Sequence, residues 1–309
     1  MRLKEILCRE LKERGITEIF VGNLKKKYGK SYMQTLAVKM LIEGLTVVKS
    51  TVKGKKIGEE CGIELYAKGD EKVVSYTVER SNKGLIELDP PKYPFFLIDF
   101  SLWDRMLEDE KKSLLLQFIL SLNVIRSYLW DKNLGIYNAP DDFFKMFNSF
   151  QRGLKHSLTI VNKLEFSGVK AIVLNPYGNI DANEQLLKES EVFILGGVVD
   201  KGRRIREATT ELSKISGYYD LPQVRIALKG SIVGVPDRLN SIIEIIMKVR
   251  EDCSSLEEAI ISSQSNADKL RRIYYEISRG NRDVEGLVNW LRAKNLLSKL
   301  SKNFQSNSS

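Results

Sequence analysis

Three glycine- and proline-marked segments follow apolar runs in the second half of the sequence, at residues 175–179 (NPYGN), 196–202 (GGVVDKG) and 230–237 (GSIVGVPD). In open α/β sheets, ligands bind at the carboxyl ends of the strands, where such segments lie. Because glycine has no Cβ, the backbone amides and carbonyls of these segments can approach a bound molecule closely. Each segment alone is typical of an ordinary turn, but three in succession predict a shared ligand pocket.

Two carboxylates in these segments could take part in chemistry. Asp200 follows the glycine pair, and Asp237 ends the third segment. A carboxylate can act as a general base or can stabilise a developing positive charge. Considered without any family, Asp200 is more typical of a turn aspartate that caps local amides. Asp237 follows Pro236 and is equally well placed as the N-cap of a predicted helix, so both roles stay open.

The motifs of several other enzyme classes are missing. The sequence has no GxGxxG opening a helix after a strand, no GxxxxGK[ST], no HExxH and no GxSxG, which excludes the sites that these motifs build. Cys8, Cys61 and Cys253 are far apart in sequence and have no neighbouring histidine, which argues against a zinc site and against a disulfide framework. The one histidine, His156, is expected to be an ordinary polar residue on a helix. We predict no metal site.

The central part of the chain is predicted to position the three loops. Runs without polar alternation are typical of strands covered on both faces, and the helical patterns between them imply crossover connections. We therefore predict a parallel α/β sheet of about five strands, at residues 95–98, 134–137, 169–174, 192–195 and 224–228. Helices are predicted at residues 109–130 and 237–250.

Three domains are predicted: a small α+β domain at residues 1–90, the sheet domain at 91–253, and a helical domain with a polar tail at 254–309. Three prolines in residues 89–94 mark the first boundary, because proline removes backbone donors and bars regular structure. The flanking predictions are helices at 3–14, 32–44, 255–263, 266–278 and 284–300 and a strand at 72–79.

The composition favours a polyanionic partner. The chain carries 49 Lys and Arg against 40 Asp and Glu, a net charge of +9, and each phosphate neutralised by such a residue releases counterions. The alternative is a generally basic, soluble surface. We see no signal peptide, and the longest uncharged apolar stretch, residues 113–125, is too short to cross a bilayer. We therefore expect a soluble, cytoplasmic protein without a membrane partner.

The sequence resembles the tRNA purine-9 N1-methyltransferases of the SPOUT superfamily, in particular the archaeal members. The resemblance spans roughly residues 93–252, about half of the chain. Its most specific element is GG-x-VD in residues 194–201 (ILGGVVDK). The other matching elements are residues 96–101 (FLIDFS), 113–117 (SLLLQ), 173–176 (VLNP) and 221–222 (LP). Residues 175–177 depart from eukaryotic relatives, which leaves the choice between adenine and guanine open.

The resemblance implies a SPOUT-like parallel sheet whose C-terminal part forms a trefoil knot, with S-adenosylmethionine held against backbone groups of the knot loops. It thereby assigns the following residues to the cofactor: Leu174, Asn175, Pro176, Leu195, Gly196, Gly197, Ile232, Val233, Gly234 and Val235. The family is expected to act as a monomer, and the archaeal character of the last loop favours adenine or dual activity.

The chemistry of the implied reaction gives the carboxylates their roles. The N1 of guanine carries a proton that a base must remove, whereas the N1 of adenine has a free lone pair and leaves a cation to be stabilised. Asp200 is the leading candidate for either task. Asp99, in the family's ID element, and Asp237 are further catalytic candidates, and Gln117 is expected to face the same pocket.

Basic residues on both flanks and beside Asp200 are predicted to contact tRNA phosphates. They are Lys25, Lys26, Lys27, Lys30, Lys201, Arg203, Arg204, Arg206, Arg271, Arg272, Arg279 and Arg282. The alternative for each is a solvated surface charge. Tyr274, Tyr275 and Trp290 are expected to be core residues rather than stacking platforms. Two other functions stay open: a non-catalytic RNA-binding or ribonucleoprotein component, and a SPOUT methyltransferase with another RNA target.

Overall fold

A computed structural model describes residues 1–151, 153–199 and 207–296. Its N-terminal part is a closed four-stranded barrel in the order β1-β3-β2-β4, covered by two helices. These elements are α1 (Leu3–Glu13), β1 (Glu18–Phe20), α2 (Tyr32–Glu43), β2 (Thr46–Glu60), β3 (Ile63–Lys68) and β4 (Lys72–Glu79). Both predicted helices and the strand at 72–79 are confirmed, and the apolar side chains of Leu3, Ile6, Leu7 and Leu11 in α1 are all buried. The three strands β1, β2 and β3 were not predicted.

The central part is one parallel sheet of seven strands in the order β7-β6-β5-β10-β8-β11-β9. The strands are β5 (Phe95–Asp99), β6 (Leu134–Tyr137), β7 (Thr159–Val161), β8 (Ala171–Leu174), β9 (Ile180–Asp181), β10 (Val192–Gly196) and β11 (Gln223–Arg225). The predicted parallel sheet is confirmed, with two short edge strands, β7 and β9, added to the five.

Both faces of this sheet are buried, which explains its uninterrupted apolar runs. In β10, Phe193 and Leu195 join a core cluster that also contains side chains from helices at residues 108–126, 239–251 and 256–263. Val192 and Ile194 join a second cluster on the opposite face, together with Leu212. Because successive side chains of a strand point to opposite faces, a doubly covered strand has no polar positions.

Eight helices among the described residues accompany the sheet or follow it. They are α3 (Glu108–Arg126), α4 (Asp141–Phe150), α5 (Glu184–Glu189), α6 (Ala208–Ile215), α7 (Leu239–Glu251), α8 (Leu256–Ser263), α9 (Asn266–Ser278) and α10 (Val284–Trp290). Helix α3 ends at Arg126, before the predicted residue 130, and the Gln34 side chain of α2 donates to the carbonyls of Arg126 and Leu129 at 2.9 and 3.2 Å. Within the described ranges, no helix is long and apolar enough to span a membrane.

A buried arginine near the end of α3 links the barrel to the sheet domain. Arg126 pairs with Asp131 through two contacts of 2.7 Å, and it also donates to the Tyr28 hydroxyl at 2.8 Å. Arg126 and Asp131 are almost fully buried. Because a buried charge is tolerated only when it is paired and hydrogen-bonded, this network fixes the contact between the two parts.

Two sequence expectations are wrong in this part of the molecule. Cys8 of α1 and Cys61, in the turn between β2 and β3, form a disulfide across a sequence separation of 53 residues, although their spacing argued against one. His156 lies in the segment between α4 and β7 rather than on a helix. Its ring packs edge-on against Phe147, with centroids 5.3 Å apart.

Candidate functional site

A cavity of about 400 Å³ lies where the first and third predicted loops meet. Its walls come from the ends of β8 and β11, from the segment before α7, and from α9. The lining includes six of the ten residues assigned to a cofactor, namely Leu174, Asn175, Pro176, Ile232, Val233 and Val235. The walls are mainly aliphatic, and the volume lies in the range of small-molecule sites. The structure thus brings together the two loops that the sequence marked.

Asn175 fixes the shape of the first loop. Its side chain is 3% exposed. The amide nitrogen donates to Thr210 Oγ1 at 3.0 Å and to Gln223 Oε1 at 3.1 Å, and the amide oxygen accepts from the Tyr177 backbone at 3.0 Å. All of these contacts are made within the protein, so Asn175 holds the loop in one conformation.

The glycine pair at the end of β10, Gly196 and Gly197, approaches the end of β5 rather than the cavity wall. Gly197 donates its backbone N–H to the Asp99 carbonyl at 2.7 Å. A Cβ at Gly197 would lie 2.7 Å from that same oxygen, so only glycine fits there. Leu195, Gly196 and Gly197 do not line the cavity. Gly197 thereby anchors the start of the second loop to the end of β5.

Asp99 is a fully buried carboxylate at the end of β5. Its Oδ1 accepts from the backbone N–H and the hydroxyl of Ser101 at 2.9 and 2.6 Å. Its Oδ2 accepts from the hydroxyls of Ser216 and Tyr218 at 2.5 and 2.9 Å. Burial, together with the neighbouring Asp99 charge, raises the pKa of the Tyr218 phenol, so that the hydroxyl remains a donor. In this arrangement Asp99 faces the protein interior and organises the chain around it.

Asp237 lines the cavity and is exposed. It is not the N-cap that its position suggested, because α7 begins at Leu239 with Arg238 as the cap residue and no side-chain cap bond from it. Gln117 of α3 accepts from the Leu239 backbone N–H at 3.1 Å instead. Gln117 therefore supports the start of α7 and is not one of the cavity-lining residues.

Helix α9 holds the third loop. Arg272 is 1% exposed, and its guanidinium donates to the Val233 carbonyl at 3.2 Å and pairs with Glu276 at 2.6 Å. Gln264, just before α9, donates to the Gly234 carbonyl at 2.8 Å. The prediction that Arg272 contacts phosphate is therefore wrong for this arrangement, because its charge is buried and paired inside the protein.

Gly234 is the point of closest approach between this loop and α9. Its φ is +79°, and a Cβ there would lie 2.6 Å from the Cβ of Arg272 and 2.8 Å from the Asp268 carbonyl. A residue with a side chain would be strained by both the backbone conformation and the contact. Gly234 thus shapes the loop without lining the cavity. Arg271, the neighbour of Arg272, does line it and is 55% exposed.

A second cavity, of about 480 Å³, shares Asn175 and Tyr177 with the first. Its other lining includes Glu207, which directly follows the undescribed residues 200–206, and Tyr219. Tyr177 and Tyr219 are 63% and 47% exposed. Exposed aromatic rings beside a polar cavity can stack on a nucleobase.

The basic residues predicted to bind phosphate are distributed over several surfaces. Lys25 and Lys27 line a cavity of about 380 Å³ at the junction of the barrel and the sheet domain, together with Lys39 and Lys155. Lys26, Lys30, Arg279 and Arg282 are exposed outside this junction cavity. Asp200, Lys201, Arg203, Arg204 and Arg206 lie outside the described residues. Trp290 is partly buried against the core, as expected, whereas Tyr274 is 38% exposed.

Several residues that build this region were not singled out from the sequence. Thr210 and Gln223 hold Asn175, Ser216 and Tyr218 hold Asp99, and Gln264 holds the third loop. Neutral polar residues such as these have no sequence signal, because their role depends on partners that are distant along the chain. Over the residues that the structure describes, no group of three or more His, Cys, Asp or Glu side chains could hold a metal ion.

The fold and the site define a class: an α/β protein with a parallel sheet, in which loops at the carboxyl ends of the strands enclose a small-molecule cavity beside a polar, aromatic-lined one. A family model described as the N-terminal domain of tRNA (adenine(9)-N1)-methyltransferases matches residues 1–78. Over the whole chain, this protein is 37% identical to a tRNA (adenine(9)-N1)-methyltransferase of Sulfolobus acidocaldarius, covering 95% of both chains.

A further relative and a solved structure agree with this match. The chain is 27% identical to a tRNA (guanine(9)-/adenine(9)-N1)-methyltransferase of Thermococcus kodakarensis, covering 97% of this chain and 84% of that one. It also superimposes on the crystal structure of Sulfolobus acidocaldarius Trm10 in complex with S-adenosylhomocysteine, with a TM-score of 0.79, 33% identity and coverage of 98% and 99%. The chain belongs to the Trm10 family of tRNA methyltransferases.

Proposed function

We propose that this protein is an S-adenosylmethionine-dependent tRNA methyltransferase that modifies N1 of the purine at position 9. The relatives that it matches over nearly their whole length are named for this activity, and one similar structure contains S-adenosylhomocysteine. The observation that carries the proposal is the aliphatic cavity between the loops at residues 174–177 and 232–237.

The cofactor fits this cavity by chemistry as well as by size. Adenine is a flat, mostly apolar ring system, and Leu174, Ile232 and Val233 offer it an aliphatic surface close to loop backbone. Asn175, Pro176 and Val235 complete this wall. Leu195, Gly196, Gly197 and Gly234 act indirectly, because they set the positions of the loops that contact the cofactor. When bound, S-adenosylmethionine supplies a methyl group whose bond to sulfur breaks as the bond to the purine N1 forms.

We propose that the target purine enters the second cavity. This cavity shares the Asn175–Tyr177 loop with the first, and it is bordered by Glu207, which follows Asp200 by seven residues in the sequence. Tyr177 and Tyr219 would stack on the base. Asp200 then accepts the N1 proton of guanine, or stabilises the positive charge that develops on adenine. We propose adenine as the preferred base, with guanine as a second substrate.

Positively charged surfaces on both sides would hold the tRNA backbone. Lys25, Lys27, Lys39 and Lys155 converge on the junction cavity, where Glu43 is the one acidic residue among the described lining residues. Lys26, Lys30, Lys201, Arg203, Arg204, Arg206, Arg279 and Arg282 are further phosphate contacts in this proposal. Arrays of this kind bind nucleic acid largely independently of sequence.

Three finer features complete the proposal. The C-terminal part of the sheet is threaded as a trefoil knot, as the family resemblance implies. The barrel, sheet and helical parts act as three domains, at about residues 1–90, 91–253 and 254–309. The protein works as a monomer in the cytoplasm, since its own flanking parts supply the RNA contacts that a second subunit would otherwise give.

The decisive experiment is methyl transfer to tRNA carrying adenine or guanine at position 9, with mapping of the N1-methyl product, for the wild type and for Asp200→Asn. We expect the variant to lose about 100-fold or more of its rate, while its affinity for S-adenosylhomocysteine stays nearly unchanged. Asp70→Asn, an exposed aspartate of the barrel, serves as the control. Wild-type turnover by Asp200→Asn would remove Asp200 from the mechanism, and a wild type that fails to bind S-adenosylhomocysteine would favour a non-catalytic RNA-binding protein.

A further inference from the structure

Two side chains of opposite charge line the otherwise aliphatic cavity between the β8 and α7 loops. They are Asp237, in the segment before α7, and Arg271, on the C-terminal helix α9. They are the charged residues of the lining among the residues that the structure describes. Both are exposed, so neither charge is neutralised by burial in the protein. Arg271 lies 3.6 Å from the Asp268 carboxylate, three residues earlier on the same helix.

The remaining lining is mainly aliphatic. Val224, Ile226 and Ile242 add to the aliphatic surface formed by the two loops. An aliphatic wall suits an uncharged ring system, but it cannot compensate the loss of hydration of a carboxylate or an ammonium group. A ligand that fills this cavity favourably therefore has an apolar part and a part that carries both charges.

We propose that Arg271 and Asp237 bind the amino-acid end of the cofactor, with Arg271 on its α-carboxylate and Asp237 on its α-ammonium group. This inference rests on the proposed function, since it names the residues that bind the charged end of the cofactor. The aliphatic wall offers that end no partner. A guanidinium binds a carboxylate through two parallel hydrogen bonds, which also fixes the orientation of the bound group. The predicted roles of Arg271 in phosphate binding and of Asp237 in catalysis are thereby replaced.

The attachment of α9 to the third loop gives Arg271 a defined position. The adjacent Arg272 holds the Val233 carbonyl, and Gln264 holds the Gly234 carbonyl. Gly234 itself lies against the backbone of α9. Arg271 is thus carried on a helix that is fixed to the cavity wall at three points. The C-terminal helices complete the cofactor site in this proposal, in addition to contacting RNA.

The test compares two ligands that differ only at the amino-acid end. Calorimetric titrations would measure S-adenosylhomocysteine and 5′-methylthioadenosine, which lacks the amino-acid group, on the wild type, Arg271→Gln and Asp237→Asn. We expect each variant to weaken S-adenosylhomocysteine binding by about 10- to 100-fold, since each removes a charge-assisted contact. We expect 5′-methylthioadenosine to bind all three proteins equally well.

A matched control and a third ligand make the assignment specific. Arg9→Gln changes an arginine of similar exposure, 51%, that also faces an acidic group on its own helix, and it should leave both affinities unchanged. Decarboxylated S-adenosylhomocysteine should be insensitive to Arg271→Gln but still sensitive to Asp237→Asn.

Three results would overturn the inference. Equal weakening of both ligands would mean that the substitutions damage the cavity as a whole. Unchanged S-adenosylhomocysteine binding with weaker tRNA binding by Arg271→Gln would return Arg271 to the phosphate contacts. A wild type that binds no S-adenosylhomocysteine would overturn the proposed function, and this inference with it. The titration of the wild type alone reveals that outcome.

Discussion

The Asp99 carboxylate takes four hydrogen bonds from three residues in two distant parts of the sequence. Ser101 follows β5 directly, whereas Ser216 and Tyr218 come after α6. The carboxylate therefore joins the end of β5 to the segment that leads into β11, beside the place where Gly197 contacts the same strand. A side chain that is fully satisfied in this way determines where the loops lie, and we assign Asp99 a positioning role.

We predict that Asp99→Asn lowers the free energy of unfolding by about 1.5 to 3 kcal/mol, the usual contribution of hydrogen bonds to a charged group. Chemical denaturation would measure it. Tyr218→Phe, which removes one of the four bonds, should cost less. The exposed Asp70→Asn should cost almost nothing. If Asp99→Asn keeps its stability and S-adenosylhomocysteine affinity but loses methyl transfer, Asp99 contacts the substrate, and the positioning role is wrong.

At the scale of secondary-structure elements, α9 and the loop before α7 form one unit. The contact depends on a glycine because the backbones meet at Gly234 with no room for a Cβ. Gly217 provides the comparison within the same chain, since its φ of +77° is similar and no atom lies within 4 Å of the position that a Cβ would take. The two glycines have similar backbone conformations but differ in the space available for a Cβ.

We therefore predict that Gly234→Ala destabilises the protein by about 1 to 3 kcal/mol more than Gly217→Ala, which is the usual cost of overpacking. It should also weaken S-adenosylhomocysteine binding, because the third loop moves away from the cavity. Gly217→Ala should show only the cost of its positive φ, about 1 kcal/mol. Thermal unfolding and calorimetry would measure both effects. Equal losses of stability and affinity in the two variants would show that the α9 contact does not shape the site.

The sequence predicts the elements whose buried positions follow a regular pattern. The doubly covered strands β5, β8 and β10 are apolar at successive positions, so they were found. Edge strand β9 is exposed at both of its residues and has no such pattern. Strand β2 was missed because lysines occupy many of its exposed positions and register shifts interrupt its alternation.

The sequence predicts those parts of the site that depend on backbone conformation. Glycine and proline mark the loops, so the sequence alone indicated the loops at Asn175 and Val233. Charged side chains were harder to assign, because a sequence does not distinguish a buried, paired arginine from a solvated one. Arg271 and Arg272 are adjacent and chemically identical, yet one lines the cavity and the other is buried against the loop.

At the scale of the whole molecule, the junction cavity is the place where the barrel and the sheet domain both present lysines. Lys39 comes from α2, and Lys155 comes from the segment after α4. Arg126 lies at the same junction, but its guanidinium is already hydrogen-bonded to Asp131 and Tyr28. A phosphate held here would therefore contact cations from two parts of the protein, whose relative position the Arg126 network fixes.

We predict that the affinity for tRNA falls steeply with salt and that Lys39→Ala and Lys155→Ala each reduce the slope of log K against log salt by about 1. Lys112→Ala, an exposed lysine of α3 that does not line the cavity, is the control. Filter binding at several salt concentrations would give the slopes. Slopes equal to the wild-type value would place the tRNA backbone elsewhere.

Asn175 lines both cavities, and its side-chain amide makes two hydrogen bonds within the protein. A ligand in one cavity that shifts this amide changes the other cavity as well, so the two ligands are coupled energetically. Such coupling is reciprocal: the factor by which the cofactor alters the affinity for tRNA must equal the factor by which tRNA alters the affinity for the cofactor. In the proposed function the product S-adenosylhomocysteine contacts the same side chain, so its release and that of the modified tRNA are coupled as well.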